Sequence, residues 1–134
     1  MFIKLVQLYL VTLAAFFIID MIWLGLVAKK FYREQLGFIM APKVNWPAAI
    51  VFYLLFIVGI IFFVTYPAIL RDSALYAFFS GAFFGLICYA TYDLTNLATL
   101  KNWPLKVTLV DLCWGSFLSA LLGLIGFLYG RTLF

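Results

Sequence analysis

The chain has 134 residues, of which 68% are hydrophobic and 10% charged, and a formal net charge of +4. A soluble domain carries about 25% charged residues, so a water-soluble fold of this size is excluded. Histidine is absent, which removes His-ligated zinc, haem and His-based triads from consideration.

The basic residues flank apolar segments, where they report membrane orientation rather than nucleic-acid binding. Membrane lipids are therefore the expected surroundings, and no nucleic-acid partner is expected. Cys88 and Cys113 stand alone inside apolar stretches and read as buried packing thiols.

A spanning helix needs roughly 20 predominantly apolar residues. Four stretches qualify, from about Leu5 to Ala28, Trp46 to Tyr66, Ala74 to Leu97 and Leu105 to Tyr129. The expected fold is all-α: a polytopic membrane protein forming one four-transmembrane-helix bundle over residues 1–134. Pro67 is expected to stop the second span, and Asp72 or Ser73 to cap the third. The first stretch is too long for a cleaved signal peptide, and no A-x-A site follows it.

Residues 29–45 mix charges with Phe31, Tyr32, Leu36, Phe38, Ile39 and Met40. This pattern suits a segment lying along the headgroups and equally a lid over a pocket. The segments after the first and third spans hold Lys29, Lys30, Arg33, Lys43, Lys101 and Lys106, whereas the opposite side holds Lys4, Arg71 and Arg131. By the positive-inside rule both longer loops are expected to be cytoplasmic and both termini outside.

Asn45-Trp46-Pro47 opens the second span and Asn102-Trp103-Pro104 the fourth. Each triplet supplies an N-cap, an interfacial Trp and a first-turn Pro, which suggests two helical hairpins of similar design. A second echo pairs Asp20-x-x-Trp23, late in the first span, with Asp111-x-x-Trp114, early in the fourth.

Of the five acids, Glu34 and Asp72 belong to loops, and Asp20, Asp93 and Asp111 lie inside spans. One central Asp costs about 2.5–3.5 kcal/mol to insert, and such residues face the bundle interior and mark sites of function. Counted along each helix, all three lie roughly 12–14 Å in from the loop-bearing face. On the third span Gly81, Gly85, Tyr89, Tyr92, Asp93 and Asn96 share one arc, and Gly81 and Gly85 make a G-x-x-x-G step for close helix approach. On the fourth, Asp111, Gly115, Ser119, Gly123, Gly126 and Gly130 share another.

The second span carries no charge and is expected to act as a wall. The candidate binding set is Asp20, Trp23, Tyr89, Tyr92, Asp93, Asn96, Asp111 and Trp114. The candidates for holding a metal or another cation are Asp20, Asp93 and Asp111, with Lys101, Lys106 or Arg33 as counter-charges reaching in from the rim. The sequence names no cofactor.

The run Tyr89-Ala-Thr-Tyr92-Asp93-Leu-Thr95-Asn96-Leu-Ala-Thr99, followed by Trp103-Pro104 and Asp111-x-x-Trp114-Gly115, resembles a bacterial family of small predicted membrane proteins known as a domain of unknown function. Asp20-x-x-Trp23-Leu-Gly25 and the Phe31-Tyr32 pair are similar to it as well. The resemblance spans essentially the whole chain and implies a four-helix inner-membrane protein, with no activity, cofactor or catalytic residue attached.

Three functions fit these residues. The first is a polar pocket within the membrane for an amphipathic, lipid-like ligand or a cation, with Asp93 as the acid–base group if chemistry occurs. The second is a small proton-coupled transporter, acting as a homodimer. The third is a structural or accessory subunit that meets a membrane-protein partner through the glycine stripe of the fourth span.

Overall fold

The computed structural model describes all of residues 1–134 and contains helices and turns only. Four helices are long and apolar enough to cross a membrane: Phe2–Val27, Trp46–Arg71, Ala74–Thr99 and Leu105–Gly130. Helices are the required solution in hydrocarbon, where backbone N–H and C=O groups have no water to bond. Accordingly 90 of the 107 backbone hydrogen bonds run within secondary structure. Large apolar side chains such as Phe62, Phe79 and Phe83 point outward and are mostly exposed, as suits a surface solvated by acyl chains.

The fourth span is the central post. It is the most buried of the four, and its small residues Gly115, Ser119, Gly123, Gly126 and Gly130 are all buried. Gly115 and Ser119 meet the third span, Gly123 meets both Val64 and Ala77, and Gly126 and Gly130 meet side chains of the first and second spans. The glycine stripe is thus covered from within the chain and is not the partner-contact face expected of an accessory subunit. Phe16, Tyr53, Phe56, Ile57, Ile60, Val64, Leu118 and Leu122 form the main core, which ties the first, second and fourth spans together.

Spans three and four approach most closely. A Cβ on Gly85 would run into the Gly115 carbonyl oxygen and the Ser119 side chain, and a Cβ on Gly115 would run into the Tyr89 ring. Absence of side chains at these points lets the backbones meet. The antiparallel register that sets Gly85 against Ser119 and Tyr89 against Gly115 continues for one more turn and sets Asp93 beside Asp111.

Several boundaries differ from expectation. The first span begins at Phe2, because Lys4 can extend toward the surface, where its ammonium lies 5.7 Å from the Phe134 ring. The second does not stop at Pro67 but continues to Arg71. A π-helical turn over Ile61–Thr65 precedes this proline; its wider i→i+5 bonding accommodates the ring and the missing N–H of Pro67. Asp72 ends the helix in the left-handed conformation, φ 45°, while Ser73 caps the third span by accepting from the Tyr76 N–H at 3.0 Å.

The third span runs on to Thr99. Thr91 and Thr99 donate their hydroxyls to carbonyls one turn back, at 2.7 and 2.8 Å, and Thr95 donates in the same way to Thr91. The fourth ends at Gly130. Residues 29–45 include a short helix, Lys29–Leu36.

The two Asn-Trp-Pro triplets are not structural equivalents. Asn45 caps its helix, accepting from the Ala48 N–H at 3.2 Å, and Trp46 is exposed. Asn102 instead adopts φ 61° in a turn, and Pro104 stands at the N-cap position. Trp103 is buried and donates to the Thr108 hydroxyl at 3.0 Å. Neither cysteine is buried as expected, since Cys88 is half-buried and Cys113 exposed on the bundle.

The helix contact predicts a sharp contrast between two substitutions. Gly85→Ala should lower unfolding stability in mild detergent by about 1–3 kcal/mol or more through overpacking. Gly25→Ala, where an added Cβ meets nothing within 4 Å, should change it by less than about 1 kcal/mol. Equal effects in a denaturant titration would show that the helix contact is not tight.

Candidate functional site

The site begins with local backbone features. A π-helical turn over Trp23–Val27 closes the first span, with the Ala28 N–H bonding back to the Trp23 carbonyl at 2.7 Å. This turn shifts the helix register after Asp20, a feature often found at functional positions. Trp23 then stacks on Trp114 of the fourth span, with ring centroids 4.2 Å apart and an interplanar angle of 7°. The two Asp-x-x-Trp echoes therefore meet through their tryptophans.

The short helix Lys29–Leu36 folds back over this end of the bundle. The Trp23 indole N–H donates to the Tyr32 hydroxyl at 3.2 Å, and that hydroxyl donates to the Asp111 carboxylate. Burial first, then the hydrogen bond to the Asp111 carboxylate, holds the Tyr32 phenol far above the ordinary tyrosine range. Tyr32 is thus a neutral donor across physiological pH. On the other side of the site, the Tyr53 hydroxyl donates to Asp20 at 2.6 Å in a buried setting.

These elements border an open-sided cavity of about 660 Å³. Its walls come from Asp20, Trp23 and Leu24 of the first span, Phe52 of the second, and Cys88, Tyr89 and Tyr92 of the third. Asp111 and Trp114 of the fourth span complete them, with Tyr32, Leu36 and Met40 from the segment above. The segment after the first span therefore serves as a cover, not only as an interfacial strip.

Of the eight binding candidates, Asp20, Trp23, Tyr89, Tyr92, Asp111 and Trp114 line the cavity. Asp93 and Asn96 do not. Asp93 is 0% exposed and abuts Asp111, and no N–H or hydroxyl donates to either of its carboxyl oxygens. Its place as the acid–base group acting directly on a ligand is therefore corrected: Asp111, not Asp93, reaches the cavity. The Thr108 hydroxyl lies 3.4 Å from the Asp93 carbonyl oxygen, so the Trp103–Thr108 bond braces the backbone carrying Asp93. The Trp114 indole N–H lies near Asp20 without meeting hydrogen-bond geometry.

Two expectations about charge are also corrected. No three acidic or cysteine side chains gather closely enough to hold a metal ion, so Asp20, Asp93 and Asp111 do not form a three-ligand set. Asp20 is engaged by Tyr53 of the second span, while Asp93 and Asp111 pair across the third and fourth. Nor does a rim cation reach them. The ion pairs of the chain are Lys30–Glu34 at 3.7 Å and Arg131–Asp72 at 3.6 Å, both exposed.

Sequence reasoning missed Tyr32 and Tyr53 as site residues. Tyr53 makes the second span more than a wall. Both had a legible signal, because an Asp inside a span needs a donor and these tyrosines are among the few donors available to it.

The Tyr32–Asp111 bond is the polar tie holding the cover down, and a hydrogen bond to a charged group contributes about 1.5–3 kcal/mol. Tyr32→Phe should therefore speed amide exchange across residues 29–36 about ten- to a hundredfold in nanodiscs, read by mass spectrometry. Unchanged exchange would show that the cover is held by apolar packing alone.

No curated protein and no solved structure shows significant similarity to this chain. One family does match: its model, described as "Predicted membrane protein (DUF2177)", covers residues 5–128. The match takes in every side chain of the cavity and both tryptophans of the stack. The chain is an integral membrane protein that belongs to this family.

Proposed function

We propose that the protein binds an amphipathic, lipid-like molecule of the bacterial inner membrane, holding its polar end in the cavity among the four spans. The observation that carries this reading is the mixed wall of that cavity. Asp20, Asp111 and Tyr32 offer polar atoms beside Leu24, Leu36, Met40 and Phe52. Its volume of about 660 Å³ falls in the range of small-molecule sites. Asp20 and Asp111 each tie two elements together through a tyrosine, but a neutral polar pair would do so without the cost of about 2.5–3.5 kcal/mol that each carboxylate adds on insertion.

The cluster of Lys29, Lys30, Arg33, Lys43, Lys101 and Lys106 supports a cytoplasmic position for the cover and the cavity mouth. A single cysteine replacing Lys43 should then resist an impermeant maleimide in intact cells, while one replacing Arg131 reacts. The reverse pattern would invert the topology.

The binding reading is tested by native mass spectrometry of the protein released from lipid nanodiscs. Wild type should retain a membrane-derived species that Asp111→Asn loses by about tenfold or more, as expected for removing a charged hydrogen-bond partner. A spectrum without adducts in both proteins, at unchanged stability, would overturn it.

One observation favours a second reading, proton-coupled transport. Asp93 and Asp111 lie side by side with no basic partner, an arrangement suited to sharing and releasing a proton. Substrate-driven proton flux in sealed vesicles, abolished by Asp93→Asn, would separate transport from binding alone.

A further inference from the structure

We infer that the polar end of the ligand is an organic cation, an amine or quaternary ammonium carried on an apolar tail. This inference rests on the pocket reading above and narrows its ligand class.

The charge balance of the cavity is its basis. Two carboxylates, Asp20 and Asp111, contribute to the wall, and no Lys or Arg does. Each accepts one tyrosine hydroxyl, from Tyr53 and Tyr32 respectively. A neutral donor satisfies one lone pair but leaves the charge in place, and a carboxylate has about four acceptor positions. Behind Asp111 stands Asp93, fully buried and without a donor on either oxygen. The two ion pairs of the chain, Lys30–Glu34 and Arg131–Asp72, lie elsewhere at exposed positions.

An anionic headgroup such as a phosphate would enter this site against like charge with no cation to receive it. A neutral sugar could donate hydroxyls, but even with one proton shared between Asp93 and Asp111 it would leave the remaining charge of that pair and of Asp20 uncompensated in a low-dielectric setting. A metal ion would find no three-ligand set. An organic cation meets each condition, because its charge offsets the carboxylates and its bulk suits a cavity of this size.

The aromatic wall points the same way. Trp23 and Trp114 are stacked at 4.2 Å, and both line the cavity together with Tyr32, Tyr89 and Tyr92. The stacked tryptophans cover each other's facing sides, so the ring faces left for an ammonium are the outer sides of that pair and those of the tyrosines. Open aromatic faces beside carboxylates attract ammonium groups through the ring quadrupole.

The test uses wild-type protein in nanodiscs of phosphatidylglycerol, a lipid without an amine, with protein-free discs as the reference for surface adsorption and three amphiphiles of equal tail length: dodecyltrimethylammonium, dodecyl glucoside and dodecyl phosphate. Binding is read from tryptophan fluorescence, since Trp23 and Trp114 form the wall. The ammonium should bind saturably, and Asp111→Asn should weaken it about tenfold or more. The glucoside and the phosphate should not displace it.

Displacement of the ammonium by the glucoside at equal or lower concentration would overturn the cation assignment while leaving the amphiphile pocket standing. Preferential binding of the phosphate would do the same. Saturable binding of none of the three would remove the pocket reading as well. Should Asp111→Asn fail to fold, Asp20→Asn and Trp114→Phe serve in its place, and unchanged ammonium binding in both would overturn the assignment.

Discussion

The contact between the third and fourth spans governs the rest of the molecule. Glycines at 85 and 115 remove the side chains that would hold the two backbones apart, and the resulting register leaves Asp93 and Asp111 side by side. In hydrocarbon, two adjacent acidic side chains without a basic neighbour call for a shared proton or an outside cation. The surrounding structure supplies donors around that pair but no positive charge. Tyr32 bonds to Asp111, and Thr108 with Trp103 steadies the backbone of the turn that carries Asp93.

From that pair outward, each further element has an identifiable part. The π-helical turn at the end of the first span leads directly into the helix that brings Tyr32 over the site. Stacking of Trp23 on Trp114 joins the first and fourth spans at the same place. The second span contributes Tyr53, and its own π-helical turn allows it to pass Pro67 without breaking. The first and second spans each carry a departure from regular α-helix near an end, whereas the third and fourth run unbroken. This division fits an unbroken pair that sets Asp93 and Asp111 and a more irregular pair that carries Asp20 and shapes the opening.

The four spans were legible because hydropathy and length decide them, and the buried aspartates because an acid in a span has few explanations. The glycine faces were legible from helical spacing. What the residues could not reveal were the relations between elements. Hydropathy ends a span at a proline, yet Pro67 is accommodated by a turn geometry that leaves no mark in composition. Identical Asn-Trp-Pro triplets suggested equivalent hairpins, but burial of Trp103 and exposure of Trp46 depend on what packs beside each. Equal depth suggested three aspartates at one level, and Asp20 and Asp111 do line one cavity with Asp93 against Asp111. What depth does not reveal is their pairing, Asp93 with Asp111 by register and Asp20 with Tyr53 of the second span. Asn96 shares the helical arc of Asp93 without reaching the cavity, because an arc is wider than the part of it that faces any one neighbour.

The separation of charge within the chain has a physical consequence. Its cations lie at the rims, and the ionisable Asp, Glu, Lys or Arg side chains buried within the spans are all aspartates. A lysine placed within reach of Asp111 would neutralise the site and relieve the insertion cost of the carboxylates, as buried ion pairs do in many bundles. Such a pair would also occupy the acceptor positions that now face the cavity. The tyrosines satisfy part of each carboxylate without cancelling its charge, so the site stays acidic and keeps free acceptors. Partial satisfaction of this kind costs stability, and under the proposed binding of an organic cation that cost would be offset when the cation enters. On that proposal, stability of the bundle is tied to occupancy of the cavity through Asp20 and Asp111, the carboxylates held by Tyr53 and Tyr32.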